Sequence, residues 1–255
     1  MDPFPLPPRS CRMIRIGCSG WNYRDWRGRF YPEKLAAKHW FAFYAEHFDT
    51  VEINNSFYRL PGPELVDRWR AQAPPGFCYA VKANRYLTQM KKLKDCEEPL
   101  ERMMASFRHF STTLGPVLYQ LPPHFPLDID RLENFLRICP RDPVPVFEFR
   151  HASWYVEEVY TLLDRHGAAL CVHDMSGSAS PRLAMGSTAY VRFHGADGKY
   201  HGRYGERKLT GWAEWMTEQG RKGRSVWAYF NNDYNAEAIK DARLLKDMLG
   251  QNAGR

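Results

Sequence analysis

Six side chains with chemistry to offer, Glu52, Glu148, Arg150, Arg192, Lys82 and His194, each fall at or just beyond the end of a short apolar run. Carboxylates and imidazole transfer protons, an amine with a depressed pKa adds to carbonyls, and guanidinium forks hold carboxylate or phosphate in bidentate fashion. Glu148 is the expected general base and Glu52 a second acid or base. Lys82 and His194 are expected as electrophilic or proton-transfer partners, with Arg150 and Arg192 holding an anion. Asn54, Gln120, Asn231 and Asp233 would orient the substrate or the charged groups. Trp21, Tyr23, Trp26, Phe57, Tyr58 and Trp154 would line a rim on which a sugar or base can stack.

These residues act together only if the chain gathers them. Eight apolar runs recur: Met13–Cys18, Thr50–Asn54, Phe77–Ala83, Pro116–Leu121, Pro145–Phe149, Ala168–His173, Ala189–His194 and Ser225–Asn231. Stretches with helical periodicity separate most of them: Glu33–Phe48 after Pro32, Glu64–Ala73, Pro99–Leu114 closed by Gly115, Asp128–Cys139, Tyr155–His166, Leu209–Gln219 and Ala236–Leu249. Strands alternating with helices imply a parallel sheet, and eight such units in about 250 residues imply a TIM-like (β/α)8 barrel, whose site lies where the strands end. Asp174–Thr188 is short and rich in Ser, Gly and Pro, so the helix after strand 6 is expected to be short or missing and the barrel irregular there.

Alternation along each strand sends every second side chain inward. Val51 and Ile53, Tyr79 and Val81, Phe147 and Phe149, Val191 and Phe193 suit the helix-facing side. Glu52 with Asn54, Lys82, Leu118 with Gln120, Glu148 with Arg150, His173, Arg192 with His194, and Asn231 then face the lumen. Gly195–Gly205, which follows strand 7 and includes Lys199 and Tyr204, is glycine-rich, basic and aromatic, a composition suited to holding phosphate on backbone N–H groups.

Composition bounds the rest. The chain has 255 residues, 44% hydrophobic and 15% aromatic, enough for one large core. Residues 1–12 form a Pro-rich leader, expected to be disordered and unlike a signal peptide, with Met13 as a candidate start; 13–250 form one domain and 251–255 a tail. No apolar stretch is long enough to span a bilayer, and the six cysteines lack CxxC pairing, which points to a reduced, cytoplasmic protein. The net charge of +7 permits an anionic partner, either a small metabolite or nucleic acid. No P-loop, dinucleotide fingerprint or nucleophile elbow is present.

Ile16-Gly17-Cys18-Ser19-Gly20-Trp21, Trp26 with Gly28 and Phe30-Tyr31-Pro32, and Val51–Tyr58 with Leu60-Pro61 resemble the domain of unknown function 72 family (YecE-like). So do Val81-Lys82-Ala83, Gln120–Pro123, Glu148–His151 with Ser153-Trp154, Arg192–Gly195 and Phe230–Asp233. The likeness spans residues 13–250. It implies a TIM barrel and no established reaction.

Several chemistries compete for the same mouth. Glycoside hydrolysis needs two carboxylates flanking the bond, and Glu52 and Glu148 lie on non-adjacent strands, which suggests too wide a gap. Lys82 either forms an ion pair with Glu52 or Glu148 or serves as a Schiff-base nucleophile. No cofactor is predicted; a divalent metal, the alternative, would draw on Glu52, Glu148, His173, Asp174 and His194, against the repulsion of three neighbouring cations. Those cations favour a small anionic, sugar-like substrate. The alternatives are a nucleic-acid end-processing protein, using Arg24, Arg85 and Lys91–Lys94, and a ligand sensor without turnover. Oligomeric state is not encoded in any recognisable pattern.

Overall fold

The computed structural model describes residues 14–198 and 200–250; the leader with Cys11 and Met13, Lys199 and the tail lie outside the described residues. The apolar runs become β1 (Ile14–Cys18), β2 (Thr50–Ile53), β3 (Cys78–Lys82), β4 (Leu114–Gln120), β5 (Pro145–Glu148), β6 (Ala169–Asp174), β7 (Thr188–Phe193) and β8 (Ser225–Phe230). All the pairings are parallel, in the order β1-β8-β7-β6-β5-β4-β3-β2. Strands buried on both faces read as continuous apolar runs, which is why these segments stood out. The architecture is the expected TIM-like α/β barrel.

Two apolar layers follow from the pleat. Outward residues such as Val51, Val81, Phe147 and Val191 pack against the helices. The lumen is filled separately by Ala80, Leu118, Val146, Ala169, Cys171, Tyr190, Trp227 and Tyr229. Large aromatics from β7 and β8 thus meet small residues from β3 and β6. Gly115 belongs to this packing: a β-carbon there would lie 3.1 Å from both the Trp227 ring and the Tyr79 carbonyl. It is the second residue of β4 and not a helix terminator, and the preceding turn uses Ser111 at φ 52° instead.

The helices are α1 (Trp40–Ala45), α2 (Asn55–Tyr58), α3 (Pro63–Gln72), α4 (Glu97–Phe107), α5 (Ile129–Ile138), α6 (Glu157–Arg165), α7 (Gly205–Arg221) and α8 (Glu237–Met248). α1 is much shorter than the predicted Glu33–Phe48. The Trp40 indole donates to the Leu35 carbonyl at 3.1 Å and stacks on Tyr31 at 4.8 Å, so aromatic packing replaces the first helical turns. α2 was not expected. Among the described residues no helix joins β6 to β7, as the composition of that link foretold. The link lies against α7, where Arg182 sits 3.8 Å from the Trp212 ring centroid.

β1 and β2 close the ring without a backbone ladder among the described residues. The Tyr44 hydroxyl stands in for it, accepting from Cys18 N at 2.8 Å and donating to the Thr50 carbonyl at 3.0 Å. Gly17 makes room, since any side chain there would collide with Thr50 and the Tyr44 hydroxyl. Arg15 adds a bond to the Asp49 carbonyl at 2.9 Å. The seam therefore holds Ser19 and Glu52 side by side at the mouth.

Candidate functional site

Glu52, Glu148 and Arg192 project from the ends of β2, β5 and β7 into the lumen, the glutamates fully buried and the arginine 1% exposed. Arg192 donates Nη2 to Glu52 Oε2 at 2.9 Å and Nη1 to Glu148 Oε2 at 2.6 Å. Ser19, Tyr190 and Asn54 also donate to Glu52, at 2.8, 2.8 and 3.2 Å. Glu148 receives Gln120 Nε2 at 3.0 Å and pairs with Arg150. Strands 2 and 5 are therefore not too far apart: one guanidinium reaches both carboxylates. What obstructs a glycosidase arrangement is that Arg192 fills the gap between them.

Burial alone would raise the pKa of each carboxyl. For Glu52 the Arg192 charge and the Ser19 and Tyr190 hydrogen bonds overcome burial and hold the pKa below the usual value. For Glu148 burial is likewise outweighed by Arg150 and Arg192, and the group lies well below the usual range. Both stay ionised with their lone pairs engaged. They are poor general bases near neutrality and instead set the field of the mouth.

Lys82 behaves differently. It is half-buried at the end of β3 with its Nζ 4.1 Å from the Phe57 ring centroid. Among the described residues it makes no ion pair within 4.0 Å, because Arg192 has taken both glutamates. Burial, and then repulsion from Arg192, lower its pKa to about 7 against the pull of Glu148 and Glu52. The expected permanent ion pair is absent, and an amine that titrates near neutrality stands in its place.

His194 is also buried, and burial first, then the two arginines, push its pKa down to about 4. Its Nε2 lies 3.0 Å from Arg150 Nη2, which can only donate, so this ring nitrogen accepts. Nδ1 faces the Asn231 amide at 3.2 Å. The neutral ring thus positions Arg150. Asp233 sits on the β1 side, its carbonyl accepting from the Trp26 indole at 2.8 Å. Burial, with Asp25 and Glu52 nearby, raises its carboxyl to about 7.

Two cavities open at the mouth. One of about 440 Å³ is lined by Phe57, Gln89, Gln120, Arg150, Met175 and Tyr200, among others. Arg150 still has donors there: Nη1 meets only the Met175 sulfur at 2.9 Å, and Nε has no partner among the described residues. The second, about 400 Å³, lies over β1 and β2 and is lined by Trp21, Tyr23 and Asn54. A larger cavity of about 540 Å³ is remote, between residues 93–97 and α5, and includes Lys94 but none of the catalytic or substrate-binding candidates.

Other expected residues do not reach the mouth. Trp154 is fully buried behind β5, stacked on Phe149 at 4.7 Å with its indole bound to the Phe125 carbonyl at 2.7 Å. Trp26 is buried as well. Tyr58 is 69% exposed beside Arg85, outside either cavity. Tyr204 packs against Phe193 behind the barrel.

The glycine-rich loop does not present free N–H groups at its far end. Gly202 N donates to Glu237 at 3.0 Å, and Tyr204 N and Gly205 N to Asp241 at 3.0 and 3.2 Å. The chain's own carboxylates occupy the position expected for phosphate. The candidate metal ligands also fail to gather. Asp174 faces the helix layer near Trp212, and among the described residues no three His, Cys, Asp or Glu side chains form a metal-holding group.

The glutamates and the two arginines cancel in charge, which leaves Lys82 and Asp233, both with pKa values of about 7, to tip the sign of the mouth. Tyr190 was missed although it lies two residues before Arg192 and so shares its face. Gln89, which donates to the Gln120 carbonyl at 2.8 Å, and Asp241, which binds the β7 loop from α8, carried no local signal.

A family profile described as "Protein of unknown function DUF72" matches residues 15–255. The chain belongs to the DUF72 family. The protein YunF of Bacillus subtilis is 26% identical over 93% of this chain and 95% of its own length. YecE of Escherichia coli K12 is 30% identical over 59% of this chain and 54% of its own. The solved DUF72 protein TM1631 of Thermotoga maritima is similar at TM-score 0.82 and 30% identity, covering 93% of this chain and 99% of that one. EF0366 of Enterococcus faecalis, at 18% identity and TM-score 0.76, shares the fold. DUF72 membership fixes the architecture and assigns no reaction. No helix among the described residues is long and apolar enough to cross a membrane.

Proposed function

We propose that the mouth binds a small anionic, sugar-like compound at Arg150 and that Lys82 exchanges a proton with it. The observation that carries this is the unpaired Lys82 amine beside a buried network in which every other charge is already matched. Groups that titrate near the working pH are the effective proton-transfer catalysts. Arg150 lines the neighbouring 440 Å³ cavity, where a carboxylate or phosphate would compete with the Met175 sulfur for its Nη1. An anion there would stabilise the charged form of Lys82, so binding above pH 7 should take up a proton.

The test is titration calorimetry at pH 8 in buffers of different ionisation enthalpy, with inorganic phosphate and small sugar phosphates and sugar acids. Anion binding with proton uptake is expected; Arg150→Ala should abolish binding, and Lys82→Met should abolish the uptake. No binding at millimolar anion, or the same uptake in Lys82→Met, would sink the proposal. Because an uncharged amine also adds to carbonyls, borohydride trapping with keto acids distinguishes proton transfer from a Schiff base at Lys82. A nucleic-acid strand fits less well, since two of the expected stacking residues, Trp26 and Trp154, are core. The five cysteines among the described residues are free, which suits a reducing compartment, in keeping with the cytoplasm.

A further inference from the structure

α2 divides the mouth in two. Phe57 lines the Arg150 cavity, while Asn55 lines the 400 Å³ cavity with Ser19, Trp21, Tyr23, Asn54 and Trp69. The divider is anchored: Ser56 donates to the Lys82 carbonyl at 2.6 Å, and Asn84 donates to the Ser56 carbonyl at 2.9 Å.

The two cavities differ in what lies beside their buried charges. Around Arg150 donors remain. In the second cavity the donors nearest Glu52 are spent. Ser19 gives its proton to Glu52 Oε2 at 2.8 Å, and Tyr23 gives its own to the Ser19 carbonyl at 2.5 Å. Asn54 directs Nδ2 to Glu52 at 3.2 Å. An ionised carboxylate only accepts, so this amide cannot turn round. Its Oδ1 is consequently fixed as an acceptor, buried, and without a partner among the described residues. A buried acceptor left unmatched costs free energy that a ligand O–H or N–H would recover. The adjacent Glu52 charge repels an anion.

Shape narrows the class further. Trp21 and Trp69, both half-buried, meet at 85° with centroids 6.0 Å apart, forming a corner rather than a parallel slot. A flat heteroaromatic ring needs parallel faces to be sandwiched. A puckered ring with C–H groups on several sides can lie against two walls at right angles.

We infer that the Trp21–Trp69–Asn54 cavity is a subsite for a neutral hydroxylated ring, a sugar, whose hydroxyl donates to Asn54 Oδ1. It rests on the proposed function only in making one ligand carry both ends, an anionic group at Arg150 and a hydroxylated ring here.

The experiment titrates the full chain with neutral hexoses and pentoses, their phosphate esters, inorganic phosphate and neutral nucleosides. Neutral sugars are expected to bind weakly, and sugar phosphates more tightly than inorganic phosphate. Trp21→Ala should weaken both sugar classes about tenfold, equivalent to about 1.4 kcal/mol, and leave inorganic phosphate unchanged. Asn55→Trp, which fills the cavity from an exposed position and spares the core, should do the same if Trp21→Ala does not fold. Arg150→Ala should abolish phosphate binding while neutral sugars still bind, so the subsite can survive failure of the anion site. No response to neutral sugars overturns the subsite whether or not phosphate binds. So does preference for nucleosides, or sugar-phosphate affinity indifferent to both variants.

Discussion

The loop after β7 and the Arg150–Lys82 face of the mouth offer similar residue types, and only one of them has anything left to give. At Gly202, Tyr204 and Gly205, backbone N–H groups that would suit a phosphate already hold Glu237 and Asp241. At the other face, Arg150 retains unmatched donors and Lys82 has no carboxylate partner among the described residues. Residue type states what chemistry is available. Whether it remains available depends on what the rest of the chain has brought alongside.

The most severe way to disturb this contrast is to remove the guanidinium that locks the lumen. Arg192→Leu would leave Glu52 and Glu148 buried with their shared counter-charge gone. Breaking a buried ion pair from one side costs roughly 3–5 kcal/mol, to be read as a lower urea midpoint. Arg192→Lys should recover little, because one ammonium cannot reproduce a two-pronged fork. If Arg192→Leu unfolds at the parent midpoint, the network is not what holds the two carboxylates in place.

The second perturbation converts one region into the other. Asp241→Ala strips the acceptor from Tyr204 N and Gly205 N, at a cost of about 1–3 kcal/mol. It also vacates an anion position at the start of α7. Sulfate should then stabilise the variant by more than it stabilises the parent. Equal stabilisation would mean that the loop never behaved as an occupied anion site.

Lys82 gives a pH-dependent effect of intermediate size. Its folded pKa of about 7 lies below the ordinary lysine value of 10.5. Between those values the unfolded chain binds more protons than the folded one, so stability rises with pH across that window. Below about pH 7 the folded protein carries the disfavoured charge in full. Lys82→Met should therefore be more stable than the parent at pH 6, with the advantage shrinking as pH climbs toward 10.5. A constant difference from pH 6 to 10 would show that Lys82 titrates normally.

Much of this was legible along the chain because the pleat has a period of two. Glu52, Lys82, Glu148, Arg192 and His194 could all be placed inside from the apolar residues flanking them. The same rule would have found Tyr190 from Arg192. Pairing was not legible: nothing local says that Arg192, rather than Lys82, reaches Glu52 and Glu148 from across the barrel. Trp154 and Tyr204 were misplaced for a related reason. Aromatics just past a strand end can turn to the rim or fold back onto the helix layer, and stacking on Phe149 and Phe193 decides it. Gly115 misled because glycine also serves as a gap for a bulky neighbour, here Trp227.

The mildest test separates packing from binding within the β7 loop itself. The Tyr204 hydroxyl accepts from Gly195 N at 3.2 Å and donates to the Asp174 carbonyl at 3.2 Å, tying the loop to β6. Tyr204→Phe keeps the ring against Phe193 and removes only those bonds. The expected loss is about 1 kcal/mol of stability, with phosphate affinity at the Arg150 face unchanged. A tenfold fall in phosphate affinity without a matching loss of stability would return this loop to the binding site and erase the contrast between the two faces.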